Sequence, residues 1–154
     1  MLDDRRMSQM AAPLVKWYRE NKRNLPWRDI DDPYRIWVSE IMLQQTRVEA
    51  VKPFYARFLE ALPTVSDLAA VEEDKLLKLW EGLGYYNRVR NMQKAAQQIV
   101  VEYGGEFPQN YEQIRKLTGI GNYTAGAISS FAFGIPKPAV DGNVLRVISR
   151  ITGS

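Results

Sequence analysis

The chain holds no cysteine and no histidine among its 154 residues. The first absence excludes disulfides, thiolate nucleophiles and any zinc or iron–sulfur site built on cysteine. The second removes the commonest acid–base side chain, so proton transfer would fall to Asp, Glu, Lys or Tyr. No apolar run approaches the roughly 18–20 residues of a membrane span, which excludes a membrane partner of that kind. The opening MLDDRRMSQM lacks the hydrophobic stretch of a secretory signal, so a cytoplasmic protein is expected. Low-complexity tracts and repeats at solenoid spacing are missing as well.

What is present is ordinary in bulk. Hydrophobic residues make up 45% and charged residues 25%, near the average for a soluble globular protein. The length suits one domain with a real core. A net charge of +3 permits a polyanionic partner without demanding one.

Periodicity predicts helices throughout. Residues 7 to about 22 carry Leu14, Val15, Trp17 and Tyr18, with Pro13 near the first turn. NLPWRDIDDP reads as a loop closed by Pro33, which opens a helix over about 33–45. A further helix covers about 47–61 despite Pro53. PTVSDLAAVEEDKLLKLWEGLG reads as two short helices ended by Gly82 and Gly84. A long amphipathic helix spans 85–103 and stops at Gly104 and Gly105. Asn110 with Gln113 resembles a capping box for a short helix through Leu117. A TGIGN turn leads into a helix of small residues at about 122–133, and NVLRVISRIT begins a last one. No segment alternates with period two for long, so the fold class is all-α.

Four stretches carry candidate chemistry. In RIWVSEIMLQQT, the lone acid Glu40 has Ile36, Trp37 and Leu43 as helical neighbours at about 100° per residue. Tyr34, Trp37, Val38 and Ile41 form a core stripe, with Arg35 and Ser39 on a different side. Glu40 and Gln44 then make a narrow polar strip, where desolvation would raise a carboxyl pKa toward the range useful for an acid. A solvated helix Glu fits the same position, and position alone does not choose.

In LTGIGNYTAG, a Gly-x-Gly turn before a helix would aim backbone N–H groups at a phosphate. An ordinary tight turn has the same look. In GLGYYNRVRNMQK, Tyr85 and Tyr86 interleave with Arg88, Arg90 and Lys94, which suits nucleic acid but equally a core-facing pair beneath a solvated basic face. In PAVDGN, Asp141 and Asn143 precede a helix, where a simple cap is the plain alternative.

LPWR, SEIMLQQT, GLGYYNRVRN, LTGIGNYTAGAI and AVDGNV occur in this order, and together they resemble the adenine DNA glycosylase branch of the helix-hairpin-helix glycosylase superfamily. The likeness runs from about Met7 to Ser154. It implies the helix-hairpin-helix glycosylase fold, with a six-helix barrel lobe. One helical domain would cover 1–154, with an N-terminal helix at 7–25 and a six-helix region at 29–154 whose hairpin lies at 117–126.

The resemblance also implies base-excision repair of duplex DNA, by hydrolysis of the bond to adenine mispaired with 8-oxoguanine or guanine. Carried over by motif, Glu40 would protonate the adenine ring and Asp141 would stabilise or transiently attack the cationic sugar, assisted by Asn143. Two carboxylates with separate roles follow the logic of glycoside hydrolysis, once the base has been flipped out. Arg23, Leu25, Trp27 and Arg28 would line the adenine pocket. Gln45 and Tyr85 would insert into the duplex, and Thr46 and Leu83 would lie near the lesion base. Arg88 would add positive charge for the DNA. The hairpin, with Gly119, Gly121 and Tyr123, would hold a backbone phosphate, through its amides or a bound monovalent cation. Related glycosylase/lyases carry a Schiff-base Lys where Tyr123 stands, so a monofunctional enzyme is implied.

Members of that branch continue into a four-cysteine iron–sulfur segment and a domain that reads oxidised guanine, whereas this sequence stops at Ser154 without the cluster ligands. Thr118 also stands where a Pro is more usual. The N-terminal helix, which in the family packs on that further lobe, would then be uncovered and prone to self-association. An active glycosylase, bacterial and nucleoid-associated, is one expectation. The other is a catalytically impaired module that only binds duplex.

Overall fold

A computed structural model of the chain describes residues 4–21, 24–44, 46–135, 147, 149 and 150. Within them every regular element is an α-helix: α1 (Asp4–Asn21), α2 (Pro33–Met42), α3 (Val48–Ala61), α4 (Val65–Ala70), α5 (Glu73–Trp80), α6 (Tyr86–Tyr103), α7 (Tyr111–Arg115) and α8 (Asn122–Phe133). Among the described residues no helix is long and apolar enough to cross a membrane. The chain divides into two compact units, one of Met1–Arg28 with Val140–Ser154 and one of Asp29–Ala139.

In the first unit α1 begins a turn earlier than the pattern predicts. Pro13 therefore lies inside the helix rather than in its first turn. No breaker separates Asp4 from Met10, so the helix extends upstream, and the proline costs it one backbone bond. Leu14, Val15, Trp17 and Tyr18 are exposed along α1.

In the second unit α2 starts where proline and aspartate dictate. Pro33 occupies the first turn, and the Asp32 carboxylate accepts from the Tyr34 amide at 2.9 Å. The helix ends at Met42, a little short of the expected 45. Ser39 departs from expectation too: it is buried, and its Oγ donates to the Ile36 carbonyl at 2.7 Å. A hydroxyl that bonds its own helix backbone can enter a core, and helical spacing alone does not reveal that.

The Asn110 side chain caps α7, accepting from the Glu112 and Gln113 amides, but the full capping box expected with Gln113 does not form. A full reciprocal capping box occurs at α4, between Thr64 and Asp67. α3 runs through Pro53 without interruption.

Two aromatic clusters anchor the core. Trp37 meets Tyr34 and Phe107 edge-on, at ring separations of 6.4 and 5.4 Å, and Phe58 meets Trp80 edge-on at 5.9 Å. Both tryptophans are fully buried. Replacing such a side chain by Ala costs about 3–5 kcal/mol, so these clusters account for much of the unit's stability. α2 packs on α3 and α8, and α6 packs on α4 and α5. Residues 124–129 of α8 are all buried, and Ala125, Gly126 and Ala127 are small enough for α2 to approach closely.

Candidate DNA-handling site

Glu40 sits in the last turn of α2, half-buried between the fully buried Trp37 and the buried Ile41. One turn on, Gln44 is exposed and Thr46 is half-buried. Gln45 lies outside the described residues. The Leu43 and Gln44 amides close the end of α2, donating to the Ser39 and Ile41 carbonyls at 2.9 and 3.2 Å. Arg88, on α6, adds a side-chain donor there. Its Nη1 donates to the Ile41 carbonyl at 2.9 Å and the Gln44 carbonyl at 2.5 Å. Burial pulls its guanidinium below the ordinary value, partly opposed by Tyr85.

The GLGYY turn is pinned from within. The Trp80 indole N–H donates to the Gly84 carbonyl at 3.0 Å, and Gly82 has φ +101°, where a Cβ would also press on the Phe54 ring at 3.0 Å. Leu83 is buried. Tyr85 and Tyr86 are not core-facing, being 62% and 39% exposed. Tyr85 adopts a left-handed backbone (φ 52°, ψ 54°) at the start of α6, with the Arg88 guanidinium 4.9 Å from its ring centre. Arg90 is held in an ion pair with Glu73 at 2.9 Å, while Lys94 is exposed.

The TGIGN turn joins α7 to α8 as a helical hairpin. The Thr118 amide donates to the Gln98 side chain at 2.9 Å, and the Ile120 amide to the Leu117 carbonyl at 3.1 Å. Gly119 and Gly121 are exposed, and no side chain caps the start of α8 at Gly121. An uncapped helix N-terminus is the ordinary requirement for receiving an anion. Tyr123, half-buried, is the second residue of α8.

In the other unit, residues 25–28 form a turn in which the Arg28 amide donates to the Leu25 carbonyl at 3.0 Å. Leu25 is buried and Trp27 half-buried. Arg28 donates to the Tyr18 hydroxyl and lies 5.4 Å from that ring's centre. Arg23, Asp141 and Asn143 lie outside the described residues, so the spacing of Glu40 from Asp141 does too.

The expected residues of the α2 end, the GLGYY turn and the hairpin therefore gather within one unit. Sequence reading missed the contact that joins the first two. Its signal was weak: the Gln44 carbonyl lies past the last turn of α2, where a donor from another element can reach it. Among the described residues no group of acidic side chains gathers as a metal site. The chain has no cysteine and so offers no thiolate ligand.

Residues 38–154 match the HhH-GPD superfamily base excision DNA repair protein family, and the chain belongs to it. It is 44% identical over 154 residues to the adenine DNA glycosylase of Homo sapiens, a match covering 94% of this chain and 28% of that protein. To the adenine DNA glycosylase of Buchnera aphidicola subsp. Baizongia pistaciae it is 44% identical over 138 residues, covering 89% of this chain and 39% of that one. The chain thus spans well under half the length of these curated relatives.

Among solved structures, a thermostable thymine-DNA glycosylase superposes with a TM-score of 0.86 at 30% identity, over 92% of this chain and 66% of that one. Endonuclease III, trapped covalently on DNA, superposes with a TM-score of 0.85 at 27% identity, over 100% and 71%. The helix-hairpin-helix glycosylase fold expected from the motifs is the fold observed.

Proposed function

We propose that this chain is the catalytic part of a monofunctional adenine DNA glycosylase that acts on adenine mispaired with 8-oxoguanine or guanine in duplex DNA. The observation that carries the reading is the setting of Glu40. It is half-buried beside Trp37, in the last turn of a helix whose end is tied to an exposed tyrosine turn. A half-buried carboxyl near a helix end is placed to act as general acid toward a base turned out of the duplex.

In this reading Glu40 is the acid, and Asp141, with Asn143, stabilises the sugar cation. Tyr85 and Gln45 enter the duplex, with Thr46 and Leu83 toward the lesion base. Arg23, Leu25, Trp27 and Arg28 receive the adenine. The amides following Gly119 and Gly121 hold a phosphate, directly or through a monovalent cation, with Tyr123 beside them. Tyr123 offers no amine for a Schiff base, so the product is an abasic site. Such work would put the chain at the nucleoid of a bacterial cell. The exposed apolar residues of α1 supply a surface through which copies can associate.

The test is single-turnover cleavage of an A·8-oxoguanine duplex by the chain and by its Glu40→Gln variant. Alkali-labile product from the unmodified chain alone is the expected result. Tight duplex binding without product from either would establish the binding-module alternative instead.

A further inference from the structure

Arg88 touches two of the segments that the proposed function assigns to DNA and shares a small cavity with the third. Its Nη1 bonds the carbonyls of Ile41 and Gln44, at the end of the helix that bears Glu40. Its guanidinium faces the Tyr85 ring at 4.9 Å. With Gln44, Asn91, Thr118 and Gly119 it lines a cavity of about 40 Å³ that reaches the hairpin. Its Nε and Nη2 are buried and make no hydrogen bond among the described residues.

A guanidinium suits this place for two reasons. The C-terminus of a helix carries partial negative charge on its last carbonyls, which attracts a cation. A planar fork can bond carbonyls in its plane while presenting its face to an aromatic ring, and an ammonium cannot do both. Tyr85 also holds a left-handed backbone, a conformation that a non-glycine residue keeps only when its surroundings enforce it.

We propose that Arg88 is a positioning residue: it locks the end of α2 and the Tyr85 wedge into one fixed relation, rather than binding a DNA phosphate. The lock itself is a property of the free protein; its consequence for cleavage rests on the glycosylase reading above. Nη1 is already committed to two backbone carbonyls, and Nε and Nη2 are buried away from solvent, so the guanidinium is poorly placed to neutralise a phosphate, whereas a rigid wedge would let insertion and proton transfer occur in register.

Hydrogen exchange on the full chain tests the lock without DNA. In Arg88→Lys the amides of Leu43, Gln44 and Arg88 should exchange about tenfold faster or more, while those of Ala95 to Ile99 stay as in the unmodified chain. Unchanged exchange at the three amides would overturn the proposal, as would loosening spread along all of α6.

Single-turnover kinetics on an A·8-oxoguanine duplex tests the consequence. Arg88→Lys should slow cleavage about tenfold while leaving duplex affinity within about threefold. If affinity drops instead and Arg88→Met loses about one unit of salt slope, Arg88 is a phosphate contact and the proposal fails. An unmodified chain that cleaves nothing would refute the glycosylase reading, and the exchange result would still decide the lock.

Discussion

Gly119 in the hairpin and Asn91 on α6 are so close that a Cβ on Gly119 would lie 2.9 Å from the Cβ of Asn91. Gly119 also has φ +79°, in the left-handed region. Gly119→Ala should therefore cost about 2 kcal/mol or more, through backbone strain and the clash together. Urea unfolding of the two proteins measures this. Asn91→Gly in the same chain should recover only the part due to the clash, since the backbone strain remains.

Duplex binding should depend steeply on salt. If the uncapped hairpin helix and a neighbouring basic side chain contact two phosphates, affinity should fall about tenfold between roughly 50 and 200 mM salt. Fluorescence anisotropy with a labelled duplex reads the slope. A flat profile would remove the hairpin from the interface.

The capping box of α4 gives a stability prediction independent of DNA. Thr64 Oγ accepts from the Asp67 amide at 3.2 Å, and the Asp67 carboxylate accepts from the Thr64 amide at 3.0 Å. Thr64→Ala should cost about 1 kcal/mol and lower Tm by about 3 °C, while Thr64→Ser should keep most of the stability. Calorimetry on the three proteins decides it.

Alkaline pH should destabilise the fold through buried tyrosines. Burial pushes the Tyr34 hydroxyl well above its usual range, and the charges of Asp67 and Asp32 push the same way. Burial raises Tyr55 as well, with Arg35 opposing. Above the ordinary tyrosine value of about 10, the unfolded chain releases these protons while the folded chain keeps them. Stability is thus intact below about pH 10 and declines as pH rises toward the folded values, by up to about 1.4 kcal/mol per pH unit for each group. Tyr34→Phe should be less stable at neutral pH, having lost the 2.7 Å bond to the Leu62 carbonyl, yet its alkaline decline should be shallower. Denaturation across pH 8–12 checks both signs.

The local signals that act over one or two turns were legible in the residues alone. Pro33 after Asp32, Asn110 before α7, and the glycines after Trp80 and Tyr103 each mark a helix boundary by chemistry confined to its own turn. The five ordered motifs likewise pointed to the helix-hairpin-helix fold, through their joint resemblance to a known family. Pro13 marks the limit of that reasoning. A proline at an exposed position can be carried inside a helix when nothing upstream stops it.

Tertiary packing alone decided which residues meet. Spacing gave no reason to bury Ser39, to close Gly119 onto Asn91, or to direct Tyr85 and Tyr86 outward. Nor could it join Arg88 to the end of α2, since Ile41 and Arg88 are 47 residues apart and the bond exists only because their helices come together. The sequence by itself thus determined the helices, their stops and a family pattern with a lone acid, since these depend on side chains within a few residues of one another. The fold decided what that acid's helix is tied to, because the remaining lone pairs of its last carbonyls take a donor from whichever element packs beside them.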